Sequence, residues 1–559
     1  MKLRTTIVLL IILLSSLNLF SQSKITRFKV KTTDIQQYEL AEWDVNVKGK
    51  FNNPYLQEEV ALDMIITSPT GKELVLPCFF ESRSANSKTF WKARFLPQES
   101  GQYSCRFKLT TKGKEIQSPS SSFVVRSSKK KGIMHKNDMW TFKFDNGELY
   151  RGLGENICWE SRDNDDSKYF KVLHEDKKYN YEYMLASLVK HKGDYYRTWI
   201  CPWNLPLDWK AGFNNSRYTP SDAYFNPSAI LKLDHLVGLS DSLGLHMMLT
   251  LGTGSYDEQN GRYPVTTENF FVDPKAKAQY KNRLRFIVAR WGYSPSISAW
   301  EFFNEVDNVQ FRNKENPIPA ADIVEWHAEM SAYLSLLDPY KHLITTSISH
   351  RDLKGLNSIE YIDFNQKHIY KNNLALPATI IKYGRDFNKP YVIGEYGYEY
   401  DWQKNFDDFA DAMDSDFKRG LWYGLFTPTP ILPMSWWWEY FDSRGTDAYL
   451  ANVRTVLDSM MRDGQGSFKS IQVSTGTPEV EAYAVRCGLK TYLYVHNNLA
   501  VDTRPEIIFP EIKYQVTDGI KMYSCELGKW LAPTSAEFRN QNKFMGFTLA
   551  AKTDVVFVF

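Results

Sequence analysis

The chain has 559 residues, and a length of about 100 to 200 residues per domain predicts roughly three domains rather than one. Its 68 Lys and Arg residues nearly balance its 65 Asp and Glu residues, which leaves a formal net charge of +3. This balance excludes a strongly basic protein, so no nucleic-acid partner is expected.

Residues 1–23 have the organisation of a cleaved signal peptide. Lys2 and Arg4 precede an apolar run from Ile7 to Leu14, and small and polar residues close the segment. The apolar run is short for a membrane span, and no later stretch approaches about 20 apolar residues, so no transmembrane segment is expected. We therefore predict an exported protein, periplasmic or extracellular.

Residues 24–126 are predicted to form an immunoglobulin-like β-sandwich, because short stretches of alternating apolar residues are separated by turn residues. Within it, the stretch from Glu99 to Cys105, ESGQYSC, resembles the tyrosine corner of such sandwiches, with Tyr103 as the tyrosine. The polar run from Ser127 to Gly132, SSKKKG, is interpreted as a domain linker. The predicted strands are Tyr38–Val47, Val60–Ser68, Lys72–Phe80, Thr89–Phe95, Gly101–Thr110 and Ser122–Arg126.

Residues 132–463 alternate predicted strands with predicted helices, which indicates repeated parallel crossovers. Such repeats form either an open doubly wound sheet or a closed (β/α)8 barrel. No glycine-rich phosphate loop follows the first strand, and this favours the barrel. The predicted strands are Leu149–Cys158, Tyr195–Cys201, Leu245–Leu251, Ile297–Glu305, Leu343–Ser349, Phe364–Tyr370, Tyr391–Glu395 and Ile431–Trp437. The predicted helices are Tyr179–His191, Ala229–Leu243, Asp273–Arg290, Ala320–Leu337, Ala378–Phe387 and Phe406–Leu421.

Residues 464–559 return to a strand pattern, and a second β-sandwich is the simplest interpretation. The predicted strands there are Glu481–Arg486, Thr491–Val495, Tyr514–Tyr523 and Gly546–Phe559. The predicted fold class is therefore α/β, a (β/α)8 TIM barrel flanked by N-terminal and C-terminal β-sandwich domains.

The cysteines fall two to each predicted domain. Export would permit disulfides between them, while free buried thiols are the alternative. None has the CxxC spacing of a zinc or redox site. The pairs are Cys78 with Cys105, Cys158 with Cys201, and Cys487 with Cys525.

Two of the predicted barrel strands end in a glutamate. The fourth strand, Ile297–Glu305, closes with the letters WEFFNE, and side-chain alternation predicts that Glu301 and Glu305 face the same way, with Glu305 at the mouth. The seventh strand, Tyr391–Glu395, closes with Gly-Glu. Active groups of such barrels cluster where strands end, and a carboxylate there needs a functional reason because its burial costs stability.

With this pair the chain resembles clan A of the glycoside hydrolases, the superfamily typified by family 5 cellulases and mannanases. In that clan an Asn-Glu pair ends the fourth strand and a second Glu ends the seventh, as Asn304-Glu305 and Glu395 do here. The stretch Leu249 to Gly254 lacks the histidine usual near the end of the third strand in family 5, so the resemblance is to the clan rather than to that family. Further matches are Arg197 on the second strand, His368 and Tyr370 on the sixth, and Trp436, Trp437 and Trp438 at the end of the eighth.

The resemblance implies a retaining O-glycosidase with Glu305 as the acid/base and Glu395 as the nucleophile, their carboxyl groups about 5 to 5.5 Å apart. Glu305 is then expected to be protonated before attack, because apolar neighbours and the second carboxylate raise its pKa. Glu395 is expected to be ionised, with Arg197 lowering its pKa and Tyr370 donating a hydrogen bond to it. The alternative for Arg197 is an ion pair with Glu301 alone.

The remaining matched residues are assigned to the substrate. Asn304 is expected to bind the sugar 2-hydroxyl, and one tryptophan of Trp436–Trp438 is expected to form the floor beneath the sugar. His368 would tune the acid/base or bind sugar, with a buried core histidine as the alternative. The loop Glu160–Asp166, ESRDNDD, is expected to be a solvated loop that shapes the substrate site.

The predicted partner is a carbohydrate, either a polysaccharide or an oligosaccharide. No cofactor is expected, and no metal site, because the chain has only 10 histidines and no HxH pair. The alternatives are a non-catalytic glycan-binding protein and a transglycosylase on the same barrel. Loss of one glutamate would mark the non-catalytic protein, and both glutamates are present.

Overall fold

The structure is a computed structural model that describes residues 23–84, 88–252, 263, 265–511, 519–531 and 535–559. The predicted signal peptide lies outside the described residues apart from Ser23. Helices and β-sheets are both abundant, so the prediction of a mixed α/β chain is confirmed. Among the described residues, no helix has the length and apolar character that crossing a membrane requires.

The chain divides into two compact units. The first contains the residues up to 132 together with 273–294 and 332–341, and the second contains the others. The helices are α1 (Lys171–Glu175), α2 (Tyr181–Lys190), α3 (Pro227–Leu243), α4 (Pro274–Trp291), α5 (Val306–Gln310), α6 (Ala320–Leu337), α7 (Ala375–Phe387), α8 (Ala410–Leu425), α9 (Trp438–Arg444) and α10 (Leu450–Gly464). Short 3-10 helices cover Thr267–Asn269, Leu356–Ser358, Phe406–Phe409 and Thr446–Tyr449.

The first unit is built on antiparallel strands. They pair as one sheet in the order β1-β2-β6-β5 and a second in the order β4-β3-β7-β8, with β9 on β7. Aromatic rings of the two sheets meet, as Phe28 and Phe107 do at 5.1 Å between ring centroids. The strands are β1 (Lys24–Val30), β2 (Ala41–Lys48), β3 (Val60–Thr67), β4 (Glu73–Pro77), β5 (Phe79–Arg83), β6 (Lys88–Phe95), β7 (Gly101–Thr111), β8 (Lys114–Gln117) and β9 (Ser121–Val125).

The tyrosine corner predicted from the sequence is confirmed. The Tyr103 hydroxyl accepts a hydrogen bond from the Glu99 backbone N–H at 2.9 Å and donates to the Glu99 carbonyl at 3.1 Å. The Tyr103 side chain is buried, and burial raises its pKa to about 12. The phenol therefore stays neutral, and its two hydrogen bonds to the Glu99 backbone stabilise the turn before β7.

Helix α4 belongs to the first unit, as does the end of α6. Asp273 caps α4 by accepting from the backbone N–H groups of Lys275 and Ala276, and this start agrees with the predicted Asp-Pro signal. Arg285 donates to the Asp63 carboxylate at 2.6 Å, which ties the helix to β3.

The centre of the second unit is a set of parallel strands that pair in chain order. One run is β13 to β17 and another is β18 to β20, with only Thr346 between β17 and β18. The register places Asn156 beside Arg197 and His368 beside Glu395. The strands are β13 (Gly154–Asn156), β14 (Tyr195–Trp199), β15 (His246–Thr250), β16 (Ile297–Glu301), β17 (Leu343–Thr345), β18 (Ser347–Ile348), β19 (Asn365–Tyr370) and β20 (Tyr391–Gly397).

The prediction of a regular eighth strand over Ile431–Trp437 is wrong. The chain makes only isolated parallel bridges there, from Ile431 to Gly152 and from Ser435 to both Glu155 and Tyr396. It then turns into α9 through Trp437, whose φ is 70°. The segment therefore lies between β13 and β20 but holds them by fewer hydrogen bonds than a full strand would.

One buried apolar core lies among these parallel segments. It takes side chains from successive strands and from a small antiparallel sheet formed by β10 (Met134–Lys136), β11 (Phe142–Phe144) and β12 (Leu149–Tyr150). The core residues are Met134, Phe142, Phe144, Tyr150, Tyr195, Met248, Ala299, Leu343, Phe364, Val392, Ile431 and Met434. The apolar core thereby fills the amino-terminal ends of the parallel strands. Polar residues gather at their carboxy-terminal ends.

The C-terminal strands form one sheet in the order β21-β23-β24-β30-β26-β27 and another in the order β22-β25-β29-β28. All six cysteines lie in the described part of the chain, and each is a free, buried thiol, so the structure favours the free-thiol alternative over the disulfides. The strands are β21 (Phe468–Ile471), β22 (Ser474–Thr475), β23 (Val480–Cys487), β24 (Lys490–Asn497), β25 (Ile507–Ile508), β26 (Lys521–Ser524), β27 (Lys529–Leu531), β28 (Glu537–Arg539), β29 (Lys543–Met545) and β30 (Asp554–Val558). The predicted strand Tyr514–Tyr523 lies partly outside the described residues.

Replacing Tyr103 by Phe is expected to destabilise the first unit by about 1 to 3 kcal/mol, because the Glu99 N–H and carbonyl lose their partner. Thermal unfolding followed by circular dichroism measures the change. Tyr361→Phe, at an exposed position, is the matched control and should leave the unfolding midpoint unchanged. Equal midpoints for both variants would contradict a stabilising tyrosine corner.

Candidate active site

Glu305 reaches its position by a turn of the backbone and not by strand alternation. Strand β16 ends at Glu301, and Glu305 adopts a left-handed conformation, φ 47° and ψ 56°, at the start of α5. Its backbone N–H donates to the Ser347 hydroxyl at 2.9 Å. Phe303, two residues earlier, packs against Trp326 at 5.3 Å between ring centroids. The predicted continuation of the strand to Glu305 is therefore wrong, although the residue still lies at the site.

Arg197 is the buried centre of the site. Its Nη1 donates to Glu395 Oε1 at 2.7 Å, while its Nε donates to Glu301 Oε2 at 2.6 Å and its Nη2 to Glu301 Oε1 at 2.9 Å. Its Nη2 also donates to the Asn304 side-chain oxygen at 2.8 Å, and its Nη1 to Asn156 at 3.2 Å. The two roles weighed from the sequence, pairing with Glu301 and orienting Glu395, are thus filled together.

His368 joins the two glutamates. Its Nδ1 lies 2.9 Å from Glu305 Oε1 and 3.3 Å from Glu395 Oε1. The ring is fully buried, and among the described residues its Nε2 has no hydrogen-bond partner. Nδ1 is therefore the His368 nitrogen that bonds to the carboxyl groups.

Each glutamate has one further donor. The Tyr370 hydroxyl donates to Glu395 Oε2 at 2.6 Å, and the Asn308 amide donates to Glu305 Oε2 at 2.8 Å. Asn308 was missed from the sequence, although its place three residues after Glu305 on a helix is a usable signal. Asn156, at the end of the first strand, was missed as well.

The pKa directions of the pair differ from those expected. Burial alone would raise the pKa of Glu305, but the hydrogen bond and charge of His368 outweigh it, and the pKa lies below its ordinary value. Burial raises the pKa of Glu395 in spite of His368 and Arg197. For Glu305 this direction is opposite to the one expected from the sequence, because a histidine nitrogen that the sequence could not place bonds directly to its carboxyl group.

An open cleft of about 670 Å³ leads to the pair. Trp436 is the half-exposed member of the three tryptophans and lines this cleft. Trp437 also lines it, but its ring is buried against Phe170 at 4.9 Å, and Trp438 packs on Trp159 at 5.0 Å. The structure therefore brings all the predicted site residues to one region and leaves Trp436 as the candidate floor.

Oxygen atoms of Glu305 and Glu395 and a nitrogen of His368 lie within 4.8 Å of one another, close enough to hold a metal ion. The Arg197 guanidinium already occupies the same Glu395 oxygen, Oε1. A metal ion would have to compete with this fixed positive charge. We therefore interpret the three residues as a pair of carboxyl groups bridged by His368.

Arg197→Met is expected to lower the free energy of unfolding by about 3 to 5 kcal/mol near pH 7, because the buried Glu301 and Glu395 carboxyls lose their cation. Without the Arg197 charge, burial would raise the pKa of Glu395 further above its ordinary value in the folded variant. The variant should be relatively more stable at low pH and lose stability as the pH rises above the unfolded carboxyl pKa of about 4.3.

Thermal unfolding at about pH 4.5 and about pH 7 measures this difference, with the exposed Arg385→Met as control. A destabilisation that is equal at both pH values would argue against uncompensated carboxylates. An unchanged midpoint at both would contradict the central role of Arg197.

Comparisons with known proteins give three kinds of match. Residues 34–110 match a family described as a domain of unknown function, DUF5060. Mannan endo-1,4-beta-mannosidase A of Podospora anserina is 26% identical over 228 residues, which cover 34% of this chain and 59% of the relative. Mannan endo-1,4-beta-mannosidase F of Aspergillus fumigatus is 24% identical over 367 residues, 56% of this chain and 74% of the relative.

A crystal structure from Bacteroides vulgatus ATCC 8482, described as a "putative glycoside hydrolase", aligns with a TM-score of 0.62 at 12% identity and covers 94% of this chain and 99% of that one. This likeness shows a shared fold. The chain spans 59% of the length of the Podospora relative, so the relative's activity does not transfer as a whole. The matches confirm the resemblance to glycoside hydrolases drawn from the sequence: the chain is similar in sequence to curated mannan endo-1,4-beta-mannosidases.

Proposed function

We propose that this protein is a retaining O-glycosidase of a polysaccharide or oligosaccharide, with Glu305 as acid/base and Glu395 as nucleophile. The observation that carries the proposal is the spacing of the pair: one oxygen of Glu305 and one of Glu395 lie within 4.8 Å of each other, and both residues line the cleft. Retaining enzymes hold their carboxyl groups about 5 to 5.5 Å apart, whereas inverting enzymes need about 6.5 to 9.5 Å to admit a water molecule.

The proposed scaffold is a (β/α)8 barrel flanked by β-sandwiches. Support comes from parallel strands that pair in chain order, from the bridges of Ser435 to both Glu155 and Tyr396, and from the shared apolar core. Support for the sandwiches comes from the paired antiparallel sheets of the first unit and of residues 468–558. The domain boundaries remain predictions.

In the proposed reaction, Glu395 attacks the anomeric carbon while Glu305 transfers its proton to the leaving oxygen. The bond to the leaving sugar breaks and a glycosyl ester forms on Glu395. Glu305, now a carboxylate, then takes a proton from water, and the resulting hydroxide equivalent releases the sugar and restores both side chains. In this proposal Asn304, whose side-chain oxygen accepts from Arg197, binds the sugar 2-hydroxyl.

Substrate binding is expected to favour a protonated Glu305 and an ionised Glu395, as these roles require. The Glu305 side chain is 20% exposed and loses water when a sugar fills the cleft, and this loss raises its pKa. The Glu395 side chain is only 5% exposed and has little water to lose, while Arg197 and Tyr370 keep donating to it. His368 Nδ1 lies within hydrogen-bond distance of both carboxyl groups and can therefore bond to either of them.

β-1,4-Mannan is the first substrate to test, because the matched curated relatives are named for it. We also propose that the protein acts outside the cytoplasm, on the basis of the signal-peptide pattern in residues 1–23. A non-catalytic glycan-binding protein is less consistent with two intact, hydrogen-bonded carboxylates. A transglycosylase would use the same pair and would yield products longer than the substrate.

Glu305→Gln and Glu395→Gln are each expected to fold normally and to lose activity by orders of magnitude, because neither amide can transfer the proton or form the ester. New reducing ends from a panel of polysaccharides measure activity, and product lengths separate hydrolysis from transglycosylation. The exposed Glu479→Gln is the control. Full activity of either site variant would refute the two-glutamate mechanism.

Azide separates the two roles in the alanine variants, because a small anion can enter where the carboxylate was removed. Glu395→Ala should form a glycosyl azide of inverted configuration, and Glu305→Ala one of retained configuration. NMR of the products measures the anomeric configuration of the azide. The opposite pattern would exchange the roles assigned to the two glutamates.

Tyr370→Phe is expected to lower kcat/KM by about 10- to 100-fold, the loss of one hydrogen bond to a charged group. Because the Tyr370 hydroxyl lowers the pKa of Glu395, its removal raises that pKa. The nucleophile must be ionised, so the acidic limb of the kcat/KM profile should move to higher pH. Tyr398→Phe is the control, because Tyr398 is exposed and directly follows β20, the strand of Glu395. An unmoved acidic limb in Tyr370→Phe would contradict the contact of Tyr370 with the nucleophile.

A further inference from the structure

Asp307 lies on α5, two residues after the candidate acid Glu305, and its side chain is fully buried. Its carboxylate accepts hydrogen bonds from three consecutive backbone N–H groups: those of Ser349 at 2.8 Å, His350 at 2.9 Å and Arg351 at 3.0 Å. The Ser349 hydroxyl lies 3.3 Å from the same carboxylate, within hydrogen-bond distance. Asp307 therefore ties the segment that follows β18 to the helix that directly follows the candidate acid.

Two other buried carboxylates are neutralised by cations. Asp165 accepts from Arg162 at 2.6 Å, and Glu160 lies 2.9 Å from a lysine ammonium group. The side chains of Asp165 and Glu160 are fully buried, so the expectation of a solvated loop at Glu160–Asp166 is wrong for these residues. Asp307 differs, because its partners among the described residues are backbone N–H groups and a hydroxyl. Its burial is stable only while these donors stay in place, so it fixes their geometry.

Asn308 connects this buried anchor to the candidate acid. Its amide nitrogen donates to Ser349 Oγ at 3.2 Å and to Glu305 Oε2 at 2.8 Å. An amide nitrogen carries two hydrogens, so both are used and the amide has one defined orientation. The Asn308 side chain is exposed at the cleft, whereas Ser349 and Asp307 are buried. The order of the exposed amide thus depends on the buried pair.

The other groups that face Glu305 come from the parallel strands. His368 Nδ1 lies 2.9 Å from Glu305 Oε1, and Arg197, Glu395 and Tyr370 are close enough to interact with Glu305 electrostatically. Within the part of the chain that the structure describes, the hydrogen bond to Oε2 comes from α5 alone. A carboxyl group on a flexible side chain keeps one direction only when both of its oxygens are held.

We propose that Asp307 and Asn308 are positioning residues for the candidate acid Glu305; this inference rests on the proposed glycosidase function. Asn308 holds Glu305 Oε2, so that the carboxyl group faces the leaving oxygen. Asp307 holds the Ser349 segment, against which Asn308 is fixed. Asp307 is fully buried and does not reach the cleft, so its effect on the reaction passes through Ser349 and Asn308.

Asn308→Ala tests the contact to the acid, with the exposed Asn316→Ala, beyond the end of α5, as control. The hydrogen bond from Asn308 lowers the pKa of Glu305, so its removal raises that pKa. Because Glu305 must be protonated to act as the acid, the basic limb of the kcat/KM profile should move to higher pH. We also expect kcat to fall roughly ten-fold or more, the loss of one hydrogen bond to a charged group, and KM to change less than about two-fold.

Asp307→Asn tests the anchor. The amide keeps the size of the carboxylate but turns a nitrogen donor towards the backbone N–H groups, so the segment should loosen and kcat should fall roughly ten-fold. Because Asp307 acts through Asn308, adding Asp307→Asn to Asn308→Ala should lower kcat less than about two-fold further. Asp138→Asn is the matched control, since Asp138 also accepts from two backbone N–H groups, between β10 and β11, and kcat should not change.

If Asp307→Asn does not fold, Ser349→Ala takes its place in the same cycle, because it removes the oxygen that joins the two residues. Losses that multiply in the double variant would show that the anchor only stabilises the fold, and would overturn its positioning role. A higher KM with an unmoved basic limb in Asn308→Ala would show a substrate contact in place of a positioning contact.

NMR of the protein labelled with carbon-13 at the glutamate carboxyl groups gives a reading independent of catalysis. The Glu305 signal is the one that disappears in Glu305→Gln. A higher Glu305 pKa in Asn308→Ala than in the wild type would uphold the contact even if the wild type hydrolysed nothing, and only the glycosidase function would then fail. Equal Glu305 pKa values in the two proteins would overturn the role of Asn308.

Discussion

The site depends on the buried guanidinium of Arg197. Taking this cation out of water is costly, and only the carboxylates of Glu301 and Glu395 repay it, at 2.6 to 2.9 Å. Burial lowers the Arg197 pKa, but the two glutamates outweigh that effect and hold it above its ordinary value, so the charge is permanent. The geometry of the candidate nucleophile is thus set by the same ion cluster that makes the strand ends stable. Glu301 is structural in this arrangement, because it accepts from Nε and Nη2 of Arg197, which Glu395 does not contact.

Two strained turns position the groups around that cation. Glu305 and Trp437 both adopt left-handed backbone conformations, which cost non-glycine residues about 1 to 3 kcal/mol and persist only where neighbours fix them. The Ser347 hydroxyl holds the first turn through the Glu305 N–H, and the Glu399 carbonyl holds the second by accepting from Trp437 Nε1 at 2.8 Å. These turns place the candidate acid Glu305 and Trp436, the residue before Trp437, at the same cleft.

Much of the fold follows from apolar periodicity, while the site follows only in part. Helix α6 was predicted with both ends correct, and Asp273-Pro274 marked the start of α4. The pattern could not show that β16 stops at Glu301, because the apolar letters continue into a turn whose side chains are also buried. Nor could it reveal that His368 bonds to Glu305 at 2.9 Å, since this contact joins residues 63 positions apart and makes the Glu305 pKa lower than its local neighbours indicate. Long-range hydrogen bonds of this kind leave no periodic trace in a sequence.

The first unit is assembled from segments that are distant along the chain. Its strands lie before residue 132, but helix α4 and residues 332–341 complete it, and Tyr340 accepts a hydrogen bond from the Leu96 backbone N–H. A nascent chain extends vectorially, so this unit cannot finish folding until residue 341 has left the ribosome, after much of the parallel-strand region has been synthesised. The segment that matches DUF5060, residues 34–110, is consequently a poor unit for excision or grafting, because its native contacts include partners more than two hundred residues downstream.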